Sequence, residues 1–250
     1  MDSLKGKKAF VAFLTAGDPN IKKTEEYILT MAQAGADLIE IGIPFSDPIA
    51  EGVVIQEADL RSLASGTTTD SVFECVKNVR DKVSIPLVFM TYANPVYTYG
   101  KDKFFSKCEE VGIDGIIIPD VPFEEKDEFY DYAKAHNVKL VSMVAPTSDD
   151  RIKEIAKESE GFLYVVSSLG VTGMRNNITT DIKSMIEKVK SVTQTPAFVG
   201  FGINTPEQAR EYYSYADGVI VGSAIVKIIA EKGENASDAL YEYVKSMKNA

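Results

Sequence analysis

Short apolar runs recur along the chain, and amphipathic stretches separate them. The runs are Phe10–Leu14, Leu38–Ile41, Leu87–Met90, Gly115–Ile118, Lys139–Val144, Leu163–Val166, Ala197–Val199 and Gly218–Val221. Several are apolar at successive positions, as expected of parallel strands covered on both faces. Between them, Asp70–Val83 carries Val72, Phe73, Val76, Val79 and Val83 at helical spacing. Lys22–Gly35 and Glu124–His136 are helix candidates of suitable length. Thr205-Pro206-Glu207-Gln208 combines a capping box with proline at the first helical position.

An internal echo supports a repeated unit. Ala34-Gly35-Ala36-Asp37-Leu38-Ile39, Val111-Gly112-Ile113-Asp114-Gly115-Ile116 and Tyr215-Ala216-Asp217-Gly218-Val219-Ile220 each carry a small turn into a strand. A glycine at such a place suits a helix end in the left-handed conformation. Eight strand candidates over 250 residues make units of about 31 residues, the arithmetic of a (β/α)₈ TIM barrel. A doubly wound open sheet is the alternative. No linker or composition shift divides the chain, so one barrel domain over residues 1–250 is expected. The segment before the first strand is short, which predicts a minimal cap beneath the barrel.

Composition narrows the chemistry. The chain has 27 Lys+Arg against 37 Asp+Glu, a formal charge of −10, and 45% hydrophobic residues. That apolar content excludes a disordered chain, and the acid excess argues against a nucleic-acid partner. His136 is the single histidine, so a multi-histidine metal centre is excluded and acid–base work falls to carboxylates, Tyr or Lys. Cys75 and Cys108 lie in helical patterns and read as reduced, half-buried residues. Met1–Gly17 superficially mimics a signal peptide, but its apolar stretch ends in Gly17-Asp18-Pro19 and reads better as a strand and turn. No run approaches the length of a membrane span, and a cytoplasmic protein is expected.

In such a barrel the active site lies at the C-terminal ends of the strands. Gly200-Phe201-Gly202-Ile203 and Gly222-Ser223-Ala224-Ile225 follow the last two strands, where barrels often hold phosphate on backbone N–H groups and a helix end. The same glycines would also serve as plain tight turns. Glu40 sits inside the apolar run Leu38-Ile39-Glu40-Ile41. A carboxylate buried there is costly unless protonated, paired or hydrogen-bonded, so it is either functional or satisfied by its neighbours. Pro44–Gln56 reads as a structured loop. Within it Asp47 fits a turn better than catalysis, while Glu51 either reaches the barrel mouth or is solvated. Ser167–Asn177 is a second long loop, of the kind that forms lids. Tyr164 and Phe201 suit core packing or a flat ligand. Asp120 ends a strand as a turn residue or a supporting group.

With these segments in view, the chain closely resembles the tryptophan synthase α-subunit family over essentially its whole length. The resemblance rests on Glu40 with Pro44-Phe45-Ser46-Asp47-Pro48, Tyr92-Ala93-Asn94-Pro95, Pro119-Asp120-Val121-Pro122, Gly170-Val171-Thr172-Gly173, Gly200-Phe201-Gly202-Ile203 and Gly222-Ser223-Ala224-Ile225-Val226. Each piece alone is weak, but their order and spacing together are specific. The resemblance implies a barrel lyase that cleaves indole-3-glycerol phosphate to indole and glyceraldehyde 3-phosphate in tryptophan biosynthesis. It implies Glu40 as the general acid/base and Glu51 as a second carboxylate that stabilises positive charge at the ring N–H. Gly173, Gly202, Gly222 and Ser223 would hold the phosphate, and Phe13, Tyr164 and Phe201 would line the substrate site. Thr172 would meet the second carboxylate on closure. No cofactor is implied for this chain. The implied partner is the pyridoxal-phosphate-dependent β subunit, in an α2β2 heterotetramer.

The chain departs from the family at one informative place. The second carboxylate is usually an aspartate within Ala-Asp-Gly-Pro, whereas here the segment is Ala50-Glu51-Gly52-Val53. A displacement of about 1 Å in such a group can cost on the order of 10²-fold in rate. The alternatives are a weakly catalytic ligand-binding subunit that activates the β subunit, or another phosphosugar barrel enzyme.

Overall fold

The computed structural model describes residues 1–146, 149–166, 182–200 and 202–250. Its strands are β1 (Ala9–Thr15), β2 (Leu38–Gly42), β3 (Leu87–Met90), β4 (Gly115–Ile117), β5 (Lys139–Leu140), β6 (Ser142–Val144), β7 (Leu163–Val166), β8 (Ala197–Gly200) and β9 (Gly218–Val221). They pair in the order β5-β4-β3-β2-β1-β9-β8-β7-β6, and every pairing is parallel. The single strand expected over Lys139–Val144 is therefore two. Lys139–Leu140 pairs with β4, and Val141 still donates to Ile116 O (2.9 Å). Ser142–Val144 then pairs with β7. One segment thus hands over from one neighbour to the other and closes the ring, which makes a barrel and not an open sheet.

Side-chain alternation along the strands produces two cores. Phe10, Ala12 and Leu14 of β1, Ile39 and Ile41 of β2, and Leu87 and Phe89 of β3 face outward against the helices. Val11 and Phe13, Leu38, Val88 and Met90, Ile117, Val141 and Tyr164 face inward. This double burial is why the strands read as continuous apolar runs. The lower interior is filled by Phe162 and Phe198, whose rings stack at 4.9 Å. Below them the 3₁₀ turn Asp2–Leu4 supplies Leu4, 1% exposed, so the short N-terminal segment does form the cap.

Helices wrap the barrel. Ile21–Gln33 and Thr69–Arg80 match their sequence patterns within three residues at each end. Glu124–His136 resolves into a 3₁₀ turn and the helix Asp127–Ala135. Pro206–Tyr213 starts with the expected capping box on Thr205 and Gln208. The loop expected over Pro44–Gln56 ends earlier, because the helix Val53–Ala64 begins directly after Gly52. Cys75 and Cys108 are free and fully buried in helices, rather than half-buried. Among the described residues no helix is long and apolar enough to cross a membrane.

The echoed segments share a physical role. Each carries an aspartate one residue before its strand, and that aspartate locks the preceding strand. Asp37 N–H donates to Phe10 O (2.9 Å), while Phe10 N–H donates to Asp37 Oδ2 (2.7 Å). Asp114 exchanges the same two bonds with Leu87 (2.9 Å each), and Asp217 with Ala197 (3.0 Å each). A cation backs each carboxylate: Lys248 at 2.6 Å, Arg80 at 3.3 Å and Lys190 at 2.8 Å. The repeat is thus a register lock at the N-terminal rim, opposite the expected active-site end.

Asp37→Ala should destabilise the chain by about 2 kcal/mol, because it leaves the Phe10 N–H without its charged acceptor. Asp37→Asn keeps an acceptor oxygen and should cost about half as much. Urea unfolding of the two variants checks the order.

Candidate functional site

A cavity of about 540 Å³ opens at the C-terminal ends of the strands. Glu40 stands on its wall. It shares the inward parity of Leu38, and in register its neighbours are Phe13 on β1 and Val88 on β3. The side chain is only 1% exposed, and among the described residues Oε2 has no hydrogen-bond partner. Burial, reinforced by the nearby charge of Glu51, pushes the Glu40 carboxyl up to about 8. At neutral pH it is a proton donor aimed into an apolar cavity.

Glu51 reaches the same cavity from the loop after β2 and is 8% exposed. That loop is pinned from the end of β3. Ala50 N–H donates to Tyr92 Oη (3.0 Å), and the Phe45 ring packs on the Tyr92 ring at 5.4 Å. Gln56 Nε2 donates to Glu51 O (2.8 Å). Burial raises the Glu51 carboxyl, while a hydrogen bond with Asp59 opposes that rise. Asp59 is itself 4% exposed and is raised by burial, by the Glu51 charge and by their shared hydrogen bond.

Two aromatic rings line the cavity, and three glycines make room for them. A Cβ on Gly42 would lie 2.8 Å from the Phe13 ring, and one on Gly222 3.2 Å from it. A Cβ on Gly200 would lie 2.4 Å from Tyr164 Oη. The rings of Phe13 and Tyr164 therefore belong both to the interior packing and to the cavity wall. Met90 and Ile220 add apolar surface.

The opposite chemistry gathers after β8 and β9. Gly202 has φ +76°, and among the described residues no neighbour lies where a Cβ would touch it, so its glycine serves the backbone conformation. Gly222 caps the helix Ser223–Lys232, whose N-terminus faces the cavity with Ser223. Unsatisfied N–H groups there and the helix dipole suit an anion. Lys227, one turn along the helix, also lines the cavity.

The structure thus brings Phe13, Glu40, Glu51, Tyr164, Gly202, Gly222 and Ser223 to one cavity. Thr172, Gly173 and Phe201, with the loop Ser167–Asn177, lie outside the described residues. Asp47 is exposed and bonds Ser46 (2.5 Å), which fits a turn. Asp120 accepts from Ala93 N–H (3.0 Å) and so caps the helix Ala93–Tyr99 from the neighbouring unit. His136 pairs with Glu109 (2.9 Å) away from the cavity. Sequence reasoning missed Tyr92 and Asp59. The signal for Asp59 was its place on the stripe Ile55, Ala58, Asp59, Ser62, all of which the helix buries, while Leu60 is 63% exposed. Among the described residues no group of His, Cys, Asp or Glu is arranged to hold a metal ion.

The family model described as tryptophan synthase alpha chain matches residues 2–250. The tryptophan synthase alpha chain of Lactiplantibacillus plantarum is 48% identical over 247 residues, covering 98% of this chain and 93% of that one. That of Lacticaseibacillus casei is 42% identical over 249 residues, covering 100% and 94%. A solved structure of the tryptophan synthase α2β2 complex from Pyrococcus furiosus contains a chain similar to this one. It matches with TM-score 0.88 and 35% identity over 98% of this chain and 100% of that one.

Glu40 makes stability depend on pH. Its value of about 8 in the fold exceeds the ordinary 4.5, so folding takes up a proton there. The stability tied to that proton is complete below about pH 4.5 and is lost as pH rises toward 8. Between pH 5 and 8 the loss is about 3 kcal/mol. Glu40→Gln removes it, so the variant's advantage over the parent in urea unfolding should grow by about that amount from pH 5 to pH 8. An advantage that stays constant would mean Glu40 is ionised in the fold.

Proposed function

The chain belongs to the tryptophan synthase alpha chain family, and on that premise we propose that Glu40 and Glu51 carry out the retro-aldol cleavage of indole-3-glycerol phosphate. The observation that carries the reading is a neutral Glu40 carboxyl facing an apolar cavity that also receives Glu51. Membership makes the chain a carbon–carbon lyase, and the residue roles follow from chemistry.

A neutral indole carbon is a poor leaving group. Glu40 gives its proton to indole C3, which forms an indolenine with positive charge at the ring N–H. Glu51 as a carboxylate stabilises that charge, an electrostatic contribution aimed where charge develops. Glu40, now ionised, takes the proton of the glycerol hydroxyl next to the bond to be broken. The oxygen lone pair forms the aldehyde C=O, the C–C pair returns to the indole ring, and Glu40 ends protonated. The products are indole and glyceraldehyde 3-phosphate, with no net proton change. Phe13 and Tyr164 hold the flat ring. Gly202, Gly222 and Ser223 receive the phosphate, together with Gly173. Phe201 completes the ring site, and Thr172 meets Glu51 when the loops close and exclude water.

The partner is the pyridoxal-phosphate-dependent β subunit, in an α2β2 assembly like that of the Pyrococcus furiosus neighbour. Support comes from Ile49 and Val53, 75% and 62% exposed on either side of Glu51, apolar side chains without cover in the isolated chain. The chain acts as a single barrel domain in the cytoplasm. A second reading, a ligand-binding subunit with little turnover of its own, draws on Glu51 standing where the family usually has aspartate.

Purified chain, with and without the β subunit, should release indole from indole-3-glycerol phosphate. Glu40→Gln should lower kcat about 10²–10⁴-fold. Because Glu40 acts first as an acid, kcat/KM should fall as pH rises through about 8. Tight substrate binding without indole release under either condition would favour the second reading.

A further inference from the structure

Asp59 takes no part in the reaction as derived above, yet it is a buried acid directly behind Glu51. It lies two turns into the helix Val53–Ala64, on the stripe that the helix buries. The helix is tied to the loop after β1: Ser62 Oγ donates to Ala16 O (2.6 Å), and Arg61 forks onto the buried Asp18 carboxylate at 2.9 and 2.7 Å. Asp59 is therefore held on a rigid element, whereas Glu51 sits on a loop.

The two carboxyl groups are in hydrogen-bond contact. Two buried carboxyls that share a hydrogen bond hold a proton between them, since both cannot ionise. Both side chains are buried, 4% exposed for Asp59 and 8% for Glu51. Burial raises both, but the Glu51 charge and the shared hydrogen bond raise Asp59 further, which favours the proton there. The hydrogen bond then lowers Glu51, so the anion resides on Glu51. Among the described residues the buried Glu51 Oε2 has no further hydrogen-bond partner, and Glu51 lines the cavity.

We propose that Asp59 is the positioning residue for Glu51: its carboxyl, fixed on the helix, hydrogen-bonds Glu51 and holds the longer glutamate side chain in place. The proposal rests on the lyase reading given above. It accounts for the glutamate in Ala50-Glu51-Gly52-Val53, because the extra methylene is taken up by an anchor on the adjacent helix. The other titratable groups facing the pair are Glu40 from β2, Tyr92 from the end of β3 and Tyr164 from β7. Lys227 lines the same cavity from the helix after β9.

The test uses steady-state indole release by the complex with the β subunit. Asp59→Ala should lower kcat by about 10–100-fold while KM changes less than about threefold. Loss of the donated hydrogen bond raises Glu51, so the acid limb of the kcat–pH profile should move to higher pH. Asp59→Asn still donates from its amide and should recover most of the rate, with the acid limb in place. Glu51→Asp should lower the rate, because the shorter side chain cannot hold both Asp59 and the substrate. A wild-type kcat and acid limb in Asp59→Ala, or a faster Glu51→Asp variant, would overturn the proposal. A second measurement does not need turnover or a stable Asp59→Ala. Infrared difference spectra of the substrate-free parent and Asp59→Asn at neutral pH should contain a protonated-carboxyl C=O band. Its absence would overturn the shared proton even if indole release fails, and failure of release with the band present would overturn the lyase reading alone.

Discussion

Everything at the mouth of this barrel depends on one carboxyl group held out of water. Glu40 sits on an inward strand position between Phe13 and Val88, where its neighbours supply apolar surface rather than cations. An ionised group there would be destabilising by several kcal/mol, so the fold keeps it protonated. That same expense makes it useful: a carboxylic acid that is neutral near pH 7 can protonate carbon and then act as a base in the same cycle. The closed ring supplies the rigidity this demands. Glu40 belongs to a strand paired on both sides, so its backbone cannot relax toward solvent without breaking ladders to β1 and β3.

Strand and helix patterns were legible because both cores are written in the same runs. Inward and outward residues are both apolar, and the length of the unit set the barrel. The partition of Lys139–Val144 was not legible, since a change of pairing partner leaves no mark on hydrophobicity. Nor was the purpose of the echoed aspartates. Asp37, Asp114 and Asp217 lie in short segments that turn into strands, and only the reciprocal bonds to Phe10, Leu87 and Ala197 show that they set register. Glu40 was legible because a charge inside a strand contradicts its surroundings. Asp59 was not, because acids are ordinary on helices. The helix that exposes Leu60 and buries Asp59 inverts the usual reading of those two residue types.

The glycines illustrate a different limit. Position suggested two roles for them, anion contact or tight turns. Gly42 and Gly200 instead leave space for the rings of Phe13 and Tyr164, a contact between distant strands. Gly222 combines both kinds of role, giving clearance to Phe13 and capping the helix at Ser223. A single small residue therefore couples the aromatic wall to the helix N-terminus at a fixed separation.

Taken alone, a formal charge of −10 predicts repulsion of a phosphate ester. Three acids, Glu40, Glu51 and Asp59, gather at or directly behind the cavity. Burial raises all three, so they are not all ionised together. With Glu40 neutral and the proton proposed above shared by the other two, the site carries one negative charge. In the proposed reaction backbone N–H groups and a helix end receive the phosphate, and Lys227 lines that wall. The remaining charge lies on Glu51, where the reaction makes a cation. Net charge therefore says little about what this site can bind; the protonation of three buried carboxyls decides it.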